Sequence, residues 1–398
     1  MYFSIPAAAA KLAGKPYFVN ELQTHTQSVL TPGSEVSCEE LTAWTLMCIF
    51  TGIAGMQLWR WRPFLHGYQA TGRGLTQMNG TPNERAYAMK EMLDVVHRNE
   101  TFFTEGQAVK PSVGILYSYD IRLFFDSLLK YGEAGKSFWA ENLEGWYKLF
   151  WKWAMPVDFI NLSRWEKIAE KPPVMILPGA VRISNSEALQ LQNYVKNGGI
   201  LIADGRMGAL NENACVPPEG IPGSLLSELF GIMEIDVGCE QSMIAGEKKL
   251  PVGYQYQKLK LVDTRAKVLA SMEDGTPAVV SHSYGQGRTL YFNNFEGLIL
   301  LQKTWPELEA IIWDMVGQKA KLYVREKQEQ VHISYLESDD SVSILAVNFS
   351  NQEQKVFVHG VPEGIIVKEL FSDAGLVSGE TLELTLPADS HSVFMYKK

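Results

Sequence analysis

Glu21 follows the apolar run Tyr17-Phe18-Val19-Asn20, itself behind Gly14-Lys15-Pro16. The run reads as a short buried strand that delivers an acid at its C-terminal tip. A helix-like stretch later, Gly55-Met56-Gln57-Leu58-Trp59-Arg60-Trp61-Arg62 reads as a second such strand, ending in aromatics and cations. Strand, helix, strand with charge and rings at the strand ends is how a (β/α)₈ barrel builds a sugar site. Retaining glycoside hydrolysis needs two carboxylates about 5–5.5 Å apart, one the nucleophile and one the acid/base. Glu21 fits one of these roles. The plainer reading is a solvated acid or salt-bridge partner.

The elements around these residues fall into three zones. In residues 1–105 a helix-like Ala7–Leu12 precedes the Glu21 strand. Ser37 is the expected N-cap of a helix over 38–53, ahead of Glu39-Glu40. A Gly-containing loop follows Arg62, then a helix from Asn83 to about Arg98 with Met89, Met92, Leu93 and Val96 near a 3.6 period. Only about twenty residues precede Glu21, against ~250 for a whole barrel. The expectation is therefore the closing part of a barrel, the back end of an enzyme.

In residues 106–320 short apolar strands at 113–118, 158–162, 174–179 and 200–204 alternate with helices at 141–154 and 186–196. That alternation predicts a parallel, doubly wound sheet. It continues through 278–280, a hairpin turn at Gly285-Gln286-Gly287, 288–292 and a helix near 306–316. From residue 321 to 398 period-two strands separated by Gly, Asp and Asn predict a small antiparallel β-sandwich. The fold class is α/β throughout the first two zones, with the sandwich appended.

The 398 residues carry a net charge of −9, which disfavours nucleic acid, since phosphate needs a basic face. No polybasic helix addresses a membrane. The longest apolar stretch, 41–58, is broken by Thr, Gly and Gln and falls short of the ~20 residues of a span. Cys38, Cys48, Cys215 and Cys239 lack metal-type spacing and read as reduced thiols of a cytoplasmic protein. The histidines are scattered, so neither metal nor cofactor is expected. His25 could line the Glu21 site or simply bond to loop backbone; His66 poses the same choice. The turn Leu177-Pro178-Gly179-Ala180-Val181 has no cysteine nucleophile. The second zone reads as structural, with Asp204 and Arg206 solvated or interfacial.

The Lys15–Glu21 segment, the Trp59–Arg62 strand end and the order of the three zones resemble glycoside hydrolase family 42, the β-galactosidases. The resemblance implies that residues 1–105 close a catalytic barrel. It makes 106–320 a flavodoxin-like, glutamine-amidotransferase-like domain that mediates trimer formation, and 321–398 the C-terminal sandwich. Glu21 would be the nucleophile, Trp59 the aromatic wall of the −1 subsite, and Trp61 with Arg62 the family's Trp-Arg pair. In Gly67-Tyr68-Gln69-Ala70-Thr71-Gly72, Gln69 stands where the family has Glu and Gly72 where it has His. Gln69 still donates and accepts hydrogen bonds but carries no charge. The family's Trp after the nucleophile is absent from Leu22–Leu30.

The family's acid/base comes from an Asn-Glu strand upstream. Asn20-Glu21 does not fit that role, because 22–105 cannot hold the strand–helix units that would have to follow. The acid/base is thus expected outside this chain, on an upstream barrel half, and the chain alone is not expected to turn over substrate. The rival expectation is a non-catalytic sugar-binding or assembly protein with a remnant barrel edge. Against it, barrel strands lacking neighbours are an aggregation hazard.

Overall fold

The computed structural model describes residues 1, 4–25, 35–67, 70, 72–129, 138–168, 170–239, 241–303 and 305–398. By contacts the chain forms two units: Met1, 111–151 and 157–321 in one, 2–110, 152–156 and 322–398 in the other. The first and last sequence zones therefore share a unit. Among the described residues no helix is long and apolar enough to cross a membrane.

The 111–321 unit is built on a nine-stranded mixed sheet. Five neighbouring strands run parallel, in the order Val157–Ile160, Val113–Leu116, Val174–Leu177, Ile200–Ala203 and Gly287–Phe292. Every residue of Val113–Leu116, Val174–Leu177 and Ile200–Ala203 is buried. Strands covered on both faces need no polar alternation, and these short continuous apolar runs have none. The antiparallel extension runs through Pro277–Tyr284, Lys267–Met272, Ser242–Ala245 and Lys248–Pro251. Strands Ile232–Gly238 and Tyr256–Leu261 pair separately. Helix Phe138–Lys152 buries Trp139, Trp146, Leu149 and Phe150, and side chains of this size stabilise by roughly 1.5–3 kcal/mol each. A capping box between Ser184 and Glu187 starts helix Asn185–Lys196.

Asp204 is neither solvated nor interfacial. It is fully buried and accepts from Trp146 Nε1 (2.7 Å), Asn142 Nδ2 (3.1 and 3.2 Å), Gly179 N (2.6 Å) and Gly297 N (3.3 Å). The turn at Gly179 thus donates to a buried carboxylate. Arg206 pairs with Glu234 at 2.9 Å.

In the other unit the C-terminal strands form a three-stranded antiparallel sheet and five of the six strands of a larger one. Val331, Ile344, Val356, Val367, Leu384 and Phe394 contribute to the core between their apolar faces. Residues 107–108 add an edge strand to the larger sheet. Helices Cys38–Ile49 and Glu84–Arg98 share a second core with that sheet, through Leu41, Leu46, Met89 and Met92 against Leu345, Val347 and Val393. Ser37 is the N-cap, as expected, and closes a capping box with Glu40, but the helix stops at Ile49 rather than 53. Phe50 caps it, and Gly52, two residues on, turns the chain in a left-handed conformation at φ +75°.

Candidate functional site

Strands Phe18–Gln23 and Gly55–Trp59 pair in parallel, and with no other strand among the described residues. Val19, Leu22 and Cys48 form a small core beneath them, packed by Tyr17, Trp44, Ile53, Met56 and Leu58. Burial in the first strand is alternating, not continuous: Val19 and Leu22 are buried, while Phe18, Asn20, Glu21 and Gln23 are exposed. Glu21 is also not at the tip, because the strand runs two residues further.

A bulge decides where Glu21 stands. Val19 pairs with Met56 and Leu22 with Leu58, so the first strand takes three steps against two. The extra residue falls at Asn20-Glu21, and both side chains are exposed there. Bulges re-aim side chains and concentrate beside active sites. The Glu21 carboxylate has no hydrogen bond or ion pair to any described residue. It is open to a ligand.

The second strand ends at Trp59 rather than running to Arg62, and the Trp59–Arg60 peptide is cis. Beyond it the backbone is held by a neighbouring loop, with Leu75 N donating to Arg60 O and Thr76 N to Trp61 O, each at 2.9 Å. Gly74 permits this approach: a Cβ there would lie 2.7 Å from Arg60 O and 2.8 Å from Trp61 O. Asn83 Nδ2 and Arg85 Nη2 donate to Gly74 O at 2.8 and 3.2 Å, anchoring the loop to the next helix.

Three rings and two cations gather here. The Arg60 guanidinium sits 3.9 Å from the Phe64 ring centroid and 5.9 Å from that of Trp59, and the two rings meet edge-on at 5.8 Å. Arg60 itself is buried. Trp61 is 59% exposed, and exposed Arg62 donates to Met78 O at 3.3 Å. An exposed indole such as that of Trp61 offers an apolar ring face of the kind a sugar stacks on.

His25 is buried, and its partner is a side chain, Thr24 Oγ1 at 3.1 Å from Nδ1, not loop backbone. Burial first, then the charges of Arg60, Arg85 and Arg73, push its pKa down to about 4, so the ring is neutral near pH 7. His66 is exposed. Gln69 lies outside the described residues. No group of three or more His, Cys, Asp or Glu among the described residues could hold a metal.

Sequence reasoning therefore places Glu21, His25, Trp59, Trp61 and Arg62 on or next to one strand pair. It overlooked Thr24, Arg60 and Phe64. The Arg-aromatic interleaving through Trp59–Phe64 was a usable signal for Arg60; nothing in the sequence marked Thr24.

Comparison with known proteins adds to this geometry. Residues 111–304 match the family described as the β-galactosidase trimerisation domain. The chain resembles the family 42 β-galactosidases. It is 24% identical over 306 residues to β-galactosidase GalA of Bacillus licheniformis, covering 74% of this chain and 43% of that protein. Identity is again 24% over 364 residues with β-galactosidase Pbg of Clostridium perfringens, covering 83% and 50%. A β-galactosidase structure from Bacillus circulans sp. alkalophilus superposes with TM-score 0.79 at 15% identity, covering 99% of this chain and 58% of that one. At that identity the likeness speaks for the mixed α/β fold. The chain spans about half the length of the curated relatives it matches.

Proposed function

We propose that this chain forms part of a retaining β-galactosidase-like glycoside hydrolase, with Glu21 as the nucleophile. The observation that carries this reading is the bulge that leaves an unpaired carboxylate exposed on a parallel strand, with Trp59 closing the neighbouring strand. Glu21 would attack the anomeric carbon while an acid/base protonates the departing glycosidic oxygen; water, deprotonated by the same acid/base, would then displace Glu21 and release the sugar. Trp59 and Trp61 would supply ring surfaces to the sugar, Arg62 a cation, His25 a neutral imidazole, and Gln69 a neutral hydrogen-bonding group.

Residues 1–105 would close a (β/α)₈ barrel, 106–320 would be the amidotransferase-like trimerisation domain of a homo-oligomer, and 321–398 the C-terminal sandwich. Parallel sheets are normally covered on both faces, and two strands alone are marginal. The pair at 18–23 and 55–59 leaves both outer edges without a strand among the described residues. Further parallel strand–helix units alongside would complete the barrel and bring the acid/base.

The test is labelling with a 2-deoxy-2-fluoro galactoside in the hydrolytically active assembly, followed by peptide mapping. A label on Glu21 supports the assignment. Active enzyme labelled elsewhere overturns it, and sugar binding with neither turnover nor label favours the non-catalytic reading.

A further inference from the structure

The end of the Glu21 strand is fastened to Trp59 through one hydroxyl. Thr24 Oγ1 lies 2.9 Å from Trp59 O, 2.9 Å from Arg60 N, 3.1 Å from His25 Nδ1 and 3.4 Å from Arg60 O. Thr24 N also donates to Trp59 O at 2.9 Å. Both Thr24 and His25 are buried, at 0% and 3% exposure, so water does not compete for these bonds.

A hydroxyl has one proton to give and two lone pairs to receive with. Arg60 N–H can only donate, and it takes one lone pair. The proton goes to Trp59 O, the nearest acceptor. The remaining lone pair faces His25 Nδ1, which must then carry a hydrogen. In a neutral imidazole that leaves Nε2 as a bare acceptor, and Nε2 is buried without a hydrogen-bond partner among the described residues.

We infer that Thr24 is a positioning residue: its hydroxyl locks the strand carrying Glu21 to the Trp59–Arg60 peptide and fixes His25 as the Nδ1–H tautomer. The inference deepens the hydrolase reading above and rests on it for its catalytic consequence. Glu21 lies three residues before Thr24, so slack at this joint moves the carboxylate relative to the indole wall. Small misplacements of reacting groups lower turnover more than they lower substrate binding. Threonine suits the task because its β-branch restricts χ1 and holds the hydroxyl on target.

The tautomer is read from long-range ¹H–¹⁵N correlation on the ¹⁵N-histidine-labelled chain near pH 7, with His25→Asn assigning the signal. Protonated Nδ1 and bare Nε2 are expected, kept in Thr24→Ser and lost in Thr24→Val. A wild-type Nε2–H ring, or an unchanged His25 signal in Thr24→Val, overturns the inference. In the hydrolytically active assembly, Thr24→Val should lower kcat about tenfold with KM within about twofold, and Thr24→Ser should restore kcat. An unchanged kcat in a folded Thr24→Val enzyme also overturns it. Should Thr24→Val fail to fold, the wild-type and Thr24→Ser spectra still decide. Should Glu21 take no label in active enzyme, the nucleophile assignment falls while the tautomer result stands by itself.

Discussion

Trp146 Nε1 donates to Asp204 Oδ2 across 2.7 Å, inside the unit built on the nine-stranded sheet. Burial pushes the Asp204 carboxyl up to about 6, and the donors from Trp146, Gly179, Asn142 and Gly297 pull the other way. These donors favour the charged form. Replacing Trp146 with Phe should raise the Asp204 pKa further and destabilise the fold by about 1–3 kcal/mol above pH 7. The cost should shrink below pH 6, where the folded carboxyl is protonated. Urea unfolding of wild type and Trp146→Phe at pH 5 and pH 8 checks this; a larger loss at pH 5 would contradict the electrostatic account.

Glu296 gives a second pH dependence. It is fully buried, with Oε2 accepting from Asn294 Nδ2 at 3.2 Å and Oε1 unpartnered among the described residues. Burial, reinforced by Asp204, pushes its pKa from 4.5 up to about 8. The folded state therefore holds this proton more tightly than the unfolded chain does. Its contribution to stability is full below about pH 4.5 and is lost as pH rises through about 8. Glu296→Gln removes that titration. Plotted against pH from 5 to 9, the stability of the variant relative to wild type should rise by a few kcal/mol. Parallel stability curves for the two proteins would sink the claim.

Helix packing nearby rests on two glycines. A Cβ on Gly145 would lie 1.7 Å from Gly297 O, and one on Gly297 would lie 1.9 Å from Asn142 O. The two backbones touch with no side chain between them, so relief requires the helices to part. Gly145→Ala should cost more than ~3 kcal/mol, although alanine is the better helix former. Thermal unfolding and soluble yield measure it. A variant within about 0.5 kcal/mol of wild type would mean that this interface gives way freely.

What was legible in the sequence follows from the physics of each element. Val174–Leu177 and Ile200–Ala203 were recognisable because central parallel strands are apolar on both faces. Pro306 at the first helical position marked Pro306–Val316 to the residue. Helix Glu296–Gln302 was missed, since Gly297 reads as a breaker until the helix it packs against is known. Asp204 was misread because a strand-end acid looks the same whether water or four donor residues surround it. At the candidate site residue types pointed to Glu21, Trp59 and Trp61. The bulge under Glu21 and the Thr24 hydroxyl lock depend on register, which a single strand's sequence does not encode.

Trp61 separates binding from folding. Its side chain is 59% exposed, whereas Leu58 beneath the same strand joins the small core with Val19 and Leu22. Truncating an exposed indole removes little packing, so Trp61→Ala should leave the unfolding free energy within about 0.5 kcal/mol of wild type. If Trp61 supplies a face to the sugar, the same change should weaken galactoside binding about tenfold, equivalent to ~1.4 kcal/mol of lost ring contact. Leu58→Ala should show the opposite pattern, costing about 2–3 kcal/mol of stability. Calorimetric titration with galactose, paired with denaturant unfolding, reads both quantities. Unchanged affinity in a stable Trp61→Ala protein would remove this indole from the sugar site and leave Trp59 as the ring assigned to it.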